Sequence, residues 1–155
     1  AVHSVRHDAQ CVLHTHTVAG VAVSSLKEGL QPCNQWALQF YNRVVYHEFE
    51  GIALDLDERE RLIADLGPTA RAMILRNHGL MTLGRTVSEA VILMLNLDRA
   101  CRVQLAIQSS GQAVRPVSPE VCERTARQYE SGDSNRLPGH PVHRVRCLLT
   151  IKMAR

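Results

Sequence analysis

Aromatic residues are scarce in this chain: two Phe, one Trp and three Tyr make up 4% of its 155 residues. That leaves little to stack on nucleobases, so nucleic-acid binding is not expected. Long apolar runs are missing too. The longest, Ala90–Leu95, is far short of the ~20 residues that a membrane-crossing helix needs, and no membrane partner is expected. No Cys-x-x-Cys pair occurs, and the five cysteines (Cys11, Cys33, Cys101, Cys122, Cys147) are odd in number. That usage reads as reduced thiols in a cytoplasmic protein, not as a disulfide framework. The opening residues carry no signal-peptide pattern, although Ala1 need not be the first residue of the gene product. Acidic residues are absent after Asp133, so the formal net charge of +3 belongs to the tail: residues 1–133 sum to −2 and residues 134–155 to +5. A basic surface for an anionic polymer is therefore not implied.

What is present is ordinary for a globular domain, with 45% hydrophobic and 21% charged residues. The length suits one domain that buries roughly 70% of the surface its unfolded chain would expose. The sequence after Cys11 (Cys-Val-Leu-His-Thr-His-Thr) carries the sharpest signal. On a helix His14 and His16 would diverge by about 200°, whereas on a strand, with its side-chain period of two, they share a face. Two such imidazoles can occupy two corners of a metal tetrahedron, with Zn–N distances near 2.0–2.1 Å. A third candidate is His78, which follows the apolar run Ala72–Leu75 and precedes Gly79. Gly79 is expected to let the backbone bend and aim that ring inward. Three imidazoles leave one position open, the arrangement of a catalytic metal site. The alternative is three core histidines without a cation, each needing its own hydrogen-bond partner.

The remaining pattern alternates helix and strand signals. Val2–Ala9 reads as a helix end, where His3 and His7 form a further i,i+4 pair without an evident third ligand. A helix is expected from Thr17 to Glu28, stopped by Gly29, with Ala19-Gly20 allowing close packing and its free N–H groups near the site. Residues 31–38 read as extended, and Arg43–Phe49 as a strand whose His47 and Glu48 point outward. Asp57 caps a helix ending at Gly67-Pro68, and Thr86-Val87-Ser88-Glu89 is a capping box for a long helix to Ser109. Its buried stripe is expected to contain Val87, Ala90, Val91, Met94, Leu97, Cys101 and Leu105. Ser118-Pro119-Glu120 opens a last helix that Gly132 stops.

A His-Thr-His strand end, a helix and then Asn77-His78-Gly79-Leu80 together resemble the class II aldolase/adducin family. That family contains sugar-phosphate aldolases, related epimerases and the non-enzymatic adducins. The resemblance runs over residues 1–133 and covers the later part of the family domain. It implies a three-layer αβα fold with a mainly antiparallel central sheet. It also implies Zn²⁺ or another divalent metal on His14, His16 and His78, and a small sugar or sugar phosphate as substrate. Retro-aldol cleavage through a metal-stabilised enediolate would follow, with Tyr46 (in Tyr46-x-x-Phe49) lining the site and a homo-oligomer, a tetramer, as the assembly. The family's acid/base carboxylate and Gly/Ser-rich phosphate loops lie upstream of the His-x-His strand. Here only Asp8 precedes His14, too close to match that carboxylate. A non-catalytic, adducin-like interaction module or an inactive metal-binding fragment is therefore the alternative reading. Residues 134–155 do not resemble the Trp-containing helix usual in relatives and are expected to form a divergent basic tail, with His140 and His143 poor ligand candidates.

Overall fold

The computed structural model describes residues 2–51 and 56–132. The expectations for the tail, including His140, His143 and Cys147, lie outside those residues. The elements run α1 (Val2–Val5), β1 (Cys11–Thr15), α2 (Val18–Ser24), α3 (Gln35–Leu38), β2 (Val44–His47), α4 (Leu56–Leu66), β3 (Ala72–Leu75), β4 (Gly79–Gly84), α5 (Val87–Ser109) and α6 (Pro119–Gly132). The four strands form one sheet in the order β1-β4-β3-β2. β1 and β3 are both antiparallel to β4, while β2 is parallel to β3. Mainly antiparallel pairing and helices on both faces give the expected three-layer α/β architecture.

Alternation along the strands sorts side chains into two cores. On one face Leu13, Val44, Ala72, Ile74 and Leu80 pack with Val23 of α2 and with Leu93, Met94, Leu97 and Cys101 of α5. On the other, Val12, Val45, Met73, Leu75, Met81 and Leu83 pack with Val2, Leu62 and Leu66. β3 and β4 are buried along their whole length, because both of their faces are covered. Arg6 is pinned beneath this second core. Its guanidinium, 4% exposed, pairs with Asp8 at 2.8 Å and donates to the Ala70 carbonyl at 2.7 Å.

Several elements depart from the sequence expectation for identifiable reasons. α2 stops at Ser24, where the Ser24 and Ser25 hydroxyls both donate to the Val21 carbonyl. α3 replaces part of the expected extended segment, because Asn34 caps it by accepting from the Ala37 amide. α4 begins at Leu56, which places Asp57 inside the helix and not at its cap. On α5 the Thr86 hydroxyl accepts from the Glu89 amide as expected, but Val87 is 47% exposed and the buried stripe instead takes in Leu93, Ala100 and Gln104. Gln104 is wholly buried, with its amide satisfied by the Gln31 N–H and the Gly29 carbonyl. His47, expected to point outward, is 4% exposed, since α4 covers that side of β2.

Candidate metal centre

The edge strand β1 sets the first two ligand candidates. Leu13 packs into the α5 core and Thr15 donates to the Met94 sulfur, so His14, between them, takes the opposite face with Val12. His16 lies one residue past the strand and keeps that side. The third candidate arrives from β3. The Asn77 amide donates to the Ser24 carbonyl and the His78 amide to Leu75, closing a tight turn. The left-handed conformation of that turn falls on Asn77, at φ 54°, and not on Gly79. Gly79 matters for a different reason: a Cβ there would sit 2.4 Å from the Thr15 carbonyl oxygen and 3.1 Å from the His16 ring. The missing side chain lets β4 press against the end of β1, so the rings can meet.

They do meet. Ring centroids are 4.5 Å apart for His14 and His16, 4.8 Å for His14 and His78, and 4.7 Å for His16 and His78. One nitrogen from each ring lies within 4.8 Å of the other two, and among the described residues this is the one His/Cys/Asp/Glu group so gathered. The His14 Nδ1 is 3.0 Å from the Leu80 carbonyl oxygen. A carbonyl only accepts, so Nδ1 carries the proton and donates, leaving the Nε2 lone pair aimed at the other rings. That Nε2 is 2.6 Å from the His16 Nε2. Two nitrogens so close need something positive between or beside them, a shared proton or a cation.

Electrostatics favour the neutral form of His14 and of His78. Loss of solvent pushes the His14 pKa down, partly opposed by its bond to Leu80, and the neighbouring imidazoles push it further. Burial also lowers the His78 pKa, as does His16, while the Glu58 carboxylate acts in the opposite direction. Neutral imidazole is the form that donates a lone pair to a metal. The donor chemistry, the convergence and the fixed His14 tautomer all fit a divalent cation.

The other expected site residues are placed elsewhere. The Tyr46 hydroxyl accepts from the Leu30 amide at 3.0 Å and its ring lies under the Arg76 guanidinium, on the α5 side of the sheet. The structure therefore does not gather Tyr46 with the three histidines. Phe49 does approach, its ring 6.3 Å from that of His78. Asp8 is tied to Arg6, which holds its carboxyl down at about 2. His3 faces the Ala9 carbonyl at 2.9 Å. Two features near the site were not expected from sequence, the buried His47 and the carboxylate of Glu58. Their signal lies in α4, where Glu58 and Asp65, seven residues apart, share a side with the apolar Leu62.

The chain resembles known proteins over most of its length. A family model described as the class II aldolase and adducin N-terminal domain matches residues 1–105. An aldolase II superfamily protein of Pseudomonas syringae has a similar structure, with a TM-score of 0.78 and 51% identity over 82% of this chain and 51% of that one. An L-fuculose 1-phosphate aldolase of Glaciozyma antarctica superimposes with a TM-score of 0.70 and 31% identity, over 82% of this chain and 47% of the other. Alpha-adducin of Rattus norvegicus is 42% identical over 111 residues, 72% of this chain and 15% of the relative. The chain spans less than half the length of two bacterial relatives that it matches, 42% of one and 49% of the other.

Proposed function

The chain belongs to the class II aldolase and adducin family, and we propose that His14, His16 and His78 hold a divalent cation, Zn²⁺ by the nature of the donors, for retro-aldol cleavage of a small sugar or sugar phosphate. The observation that carries this reading is the convergence of one nitrogen from each of the three rings. The L-fuculose 1-phosphate aldolase among its structural relatives supports a sugar phosphate as the substrate class. Bound there, the cation would supply Lewis-acid stabilisation of negative charge developing on substrate oxygens. The protein's own part is to fix the ring orientations. The Leu80 carbonyl sets the tautomer of His14, the Asn77 turn delivers His78, and Gly79 lets the two strands close. Phe49, 52% exposed beside His78, and Val18, 88% exposed at the start of α2, are apolar groups that a neighbouring subunit or a substrate would cover. They support a homo-oligomer, a tetramer by family resemblance.

A second reading is a non-catalytic interaction module, favoured by the 42% identity to alpha-adducin. Metal analysis of the purified protein against His16→Ala tests the first step. One zinc per chain, lost in the variant, supports the site, and no metal in either defeats it. A retro-aldol assay with sugar phosphates on the zinc-loaded protein then distinguishes a lyase from a module that keeps only the metal.

A further inference from the structure

At the end of β2, His47 is enclosed between two acids of α4. Its side chain is 4% exposed, and its Nδ1 lies 2.7 Å from Asp65 Oδ2. An ionised carboxylate only accepts, so Nδ1 carries the proton and donates, which leaves a lone pair on Nε2 of the neutral ring. That Nε2 is buried, has no hydrogen-bond partner among the described residues and faces Glu58 Oε1 at 4.0 Å. Two electron-rich atoms thus confront each other where an unpaired polar group costs free energy. The helix presents both acids from one side, because residues 58 and 65 are seven apart, close to two turns.

What fits between the two atoms is positive. A proton on Nε2 would make it a donor, but 4.0 Å exceeds the reach of about 2.7–3.2 Å of an N–H···O bond. A transition-metal ion spans more, standing about 2.0–2.1 Å from an imidazole nitrogen and about 2.0–2.2 Å from a carboxylate oxygen. With those lengths, two donors of a tetrahedral ion lie about 3.4 Å apart, so a shift of about 0.6 Å closes the site. The Glu58 arm can supply that shift, since its side chain reaches solvent at 15% exposure. Asp65 already stands behind the ring as carboxylates do behind metal-bound histidines, fixing its tautomer and raising its basicity. One imidazole with one carboxylate suits Zn²⁺, Co²⁺ or Ni²⁺ better than Ca²⁺ or Mg²⁺, which take oxygen donors.

We propose that His47 and Glu58, backed by Asp65, form a second site for a divalent transition-metal ion, which ties α4 to the β2 edge of the sheet. Water completes the shell of the ion. The site shares no residue with the three-histidine centre and does not depend on it. With two protein donors against three it is the weaker of the two, and fills only when metal exceeds one equivalent.

The test is a Zn²⁺ titration of the full chain carrying His14→Ala and His16→Ala, which removes the other centre. Bound metal is read by competition with a chromophoric chelator, and melting curves are recorded alongside. One Zn²⁺ per chain and a raised melting temperature are expected. Adding Asp65→Asn, which acts only through the ring, should weaken binding about tenfold, and Glu58→Gln, which removes a ligand, by more. The proposal is overturned if the double variant takes up no zinc, so that His47 gains a proton only, or if E58Q binds within about twofold of its parent. Should the Glu58 variant not fold, the His47 ring nitrogens in an NMR spectrum of the double variant decide: zinc must shift Nε2, and shifts confined to other histidines contradict the site. Wild-type zinc content lost on His16→Ala reports on the three-histidine centre alone, so the two readings fail separately.

Discussion

At the scale of single residues, the centre depends on ring nitrogens with a free lone pair. Burial lowers the pKa of His14 and of His78, so a proton competes with a metal only below the ordinary value of about 6.5. Groups depressed in the folded state bind more protons when unfolded, so their effect on stability is absent above about 6.5 and grows unfavourable as pH falls through the folded values. Zinc affinity should therefore be level from about pH 8 to 6.5 and fall steeply below it, which a competition titration against a chromophoric chelator reads directly. A profile that declines from pH 8 would mean that His14 and His78 are not held neutral. Gly79 is the most sensitive single position. In Gly79→Ala the new methyl would meet the Thr15 carbonyl at 2.4 Å, and neither strand can yield without parting β1 from β4. The expected cost is about 1–3 kcal/mol together with lost zinc binding. A variant that melts and binds like wild type would show that the close approach is not needed.

At the scale of elements, Gln104 shows how α5 holds the segment after α2. Its buried amide accepts from Gln31 and donates to Gly29. Gln104→Leu strands both backbone groups and should destabilise the fold by about 1–3 kcal/mol in urea unfolding, where a neutral result would mean those groups find other partners. The sequence showed where β3 and α5 lie because their signals are local: a bounded apolar run, and a Thr cap with Glu three residues on. The three histidines were legible for a similar reason, since the strand period alone puts His14 and His16 on one face. Gln104 was not legible, because its polarity argues for an exposed position and its partners lie more than 70 residues away. His47 was misjudged by the same logic, as alternation assigns an outward face only where one side of the sheet meets water. α3 escaped notice because four residues are too few to show a period, and Asn34 is what makes it a helix.

At the scale of the whole molecule, α6 is tied to the sheet by charge. The Arg43 guanidinium reaches Glu123 at 2.8 Å and Glu130 at 2.9 Å, and this holds the Glu123 carboxyl down at about 2. A depressed carboxylate contributes stability above its ordinary pKa of about 4.5 and loses it as pH falls toward 2. Amide exchange in α6 should therefore accelerate across that window ahead of β3 and β4, and Arg43→Met should produce the same acceleration at pH 7. Uniform exchange across the chain would place the α6 attachment elsewhere. No helix among the described residues is long and apolar enough to cross a membrane. The sheet, its two cores and the Arg6 anchor all converge on holding β1 against the β3–β4 turn, which is where the three rings gather. X-ray absorption at the zinc edge of the purified, zinc-loaded protein tests that most directly. The account predicts three imidazole nitrogens and one oxygen neighbour at about 2.0–2.1 Å. A sulfur shell near 2.3 Å, or a spectrum with fewer than three imidazoles, would contradict it.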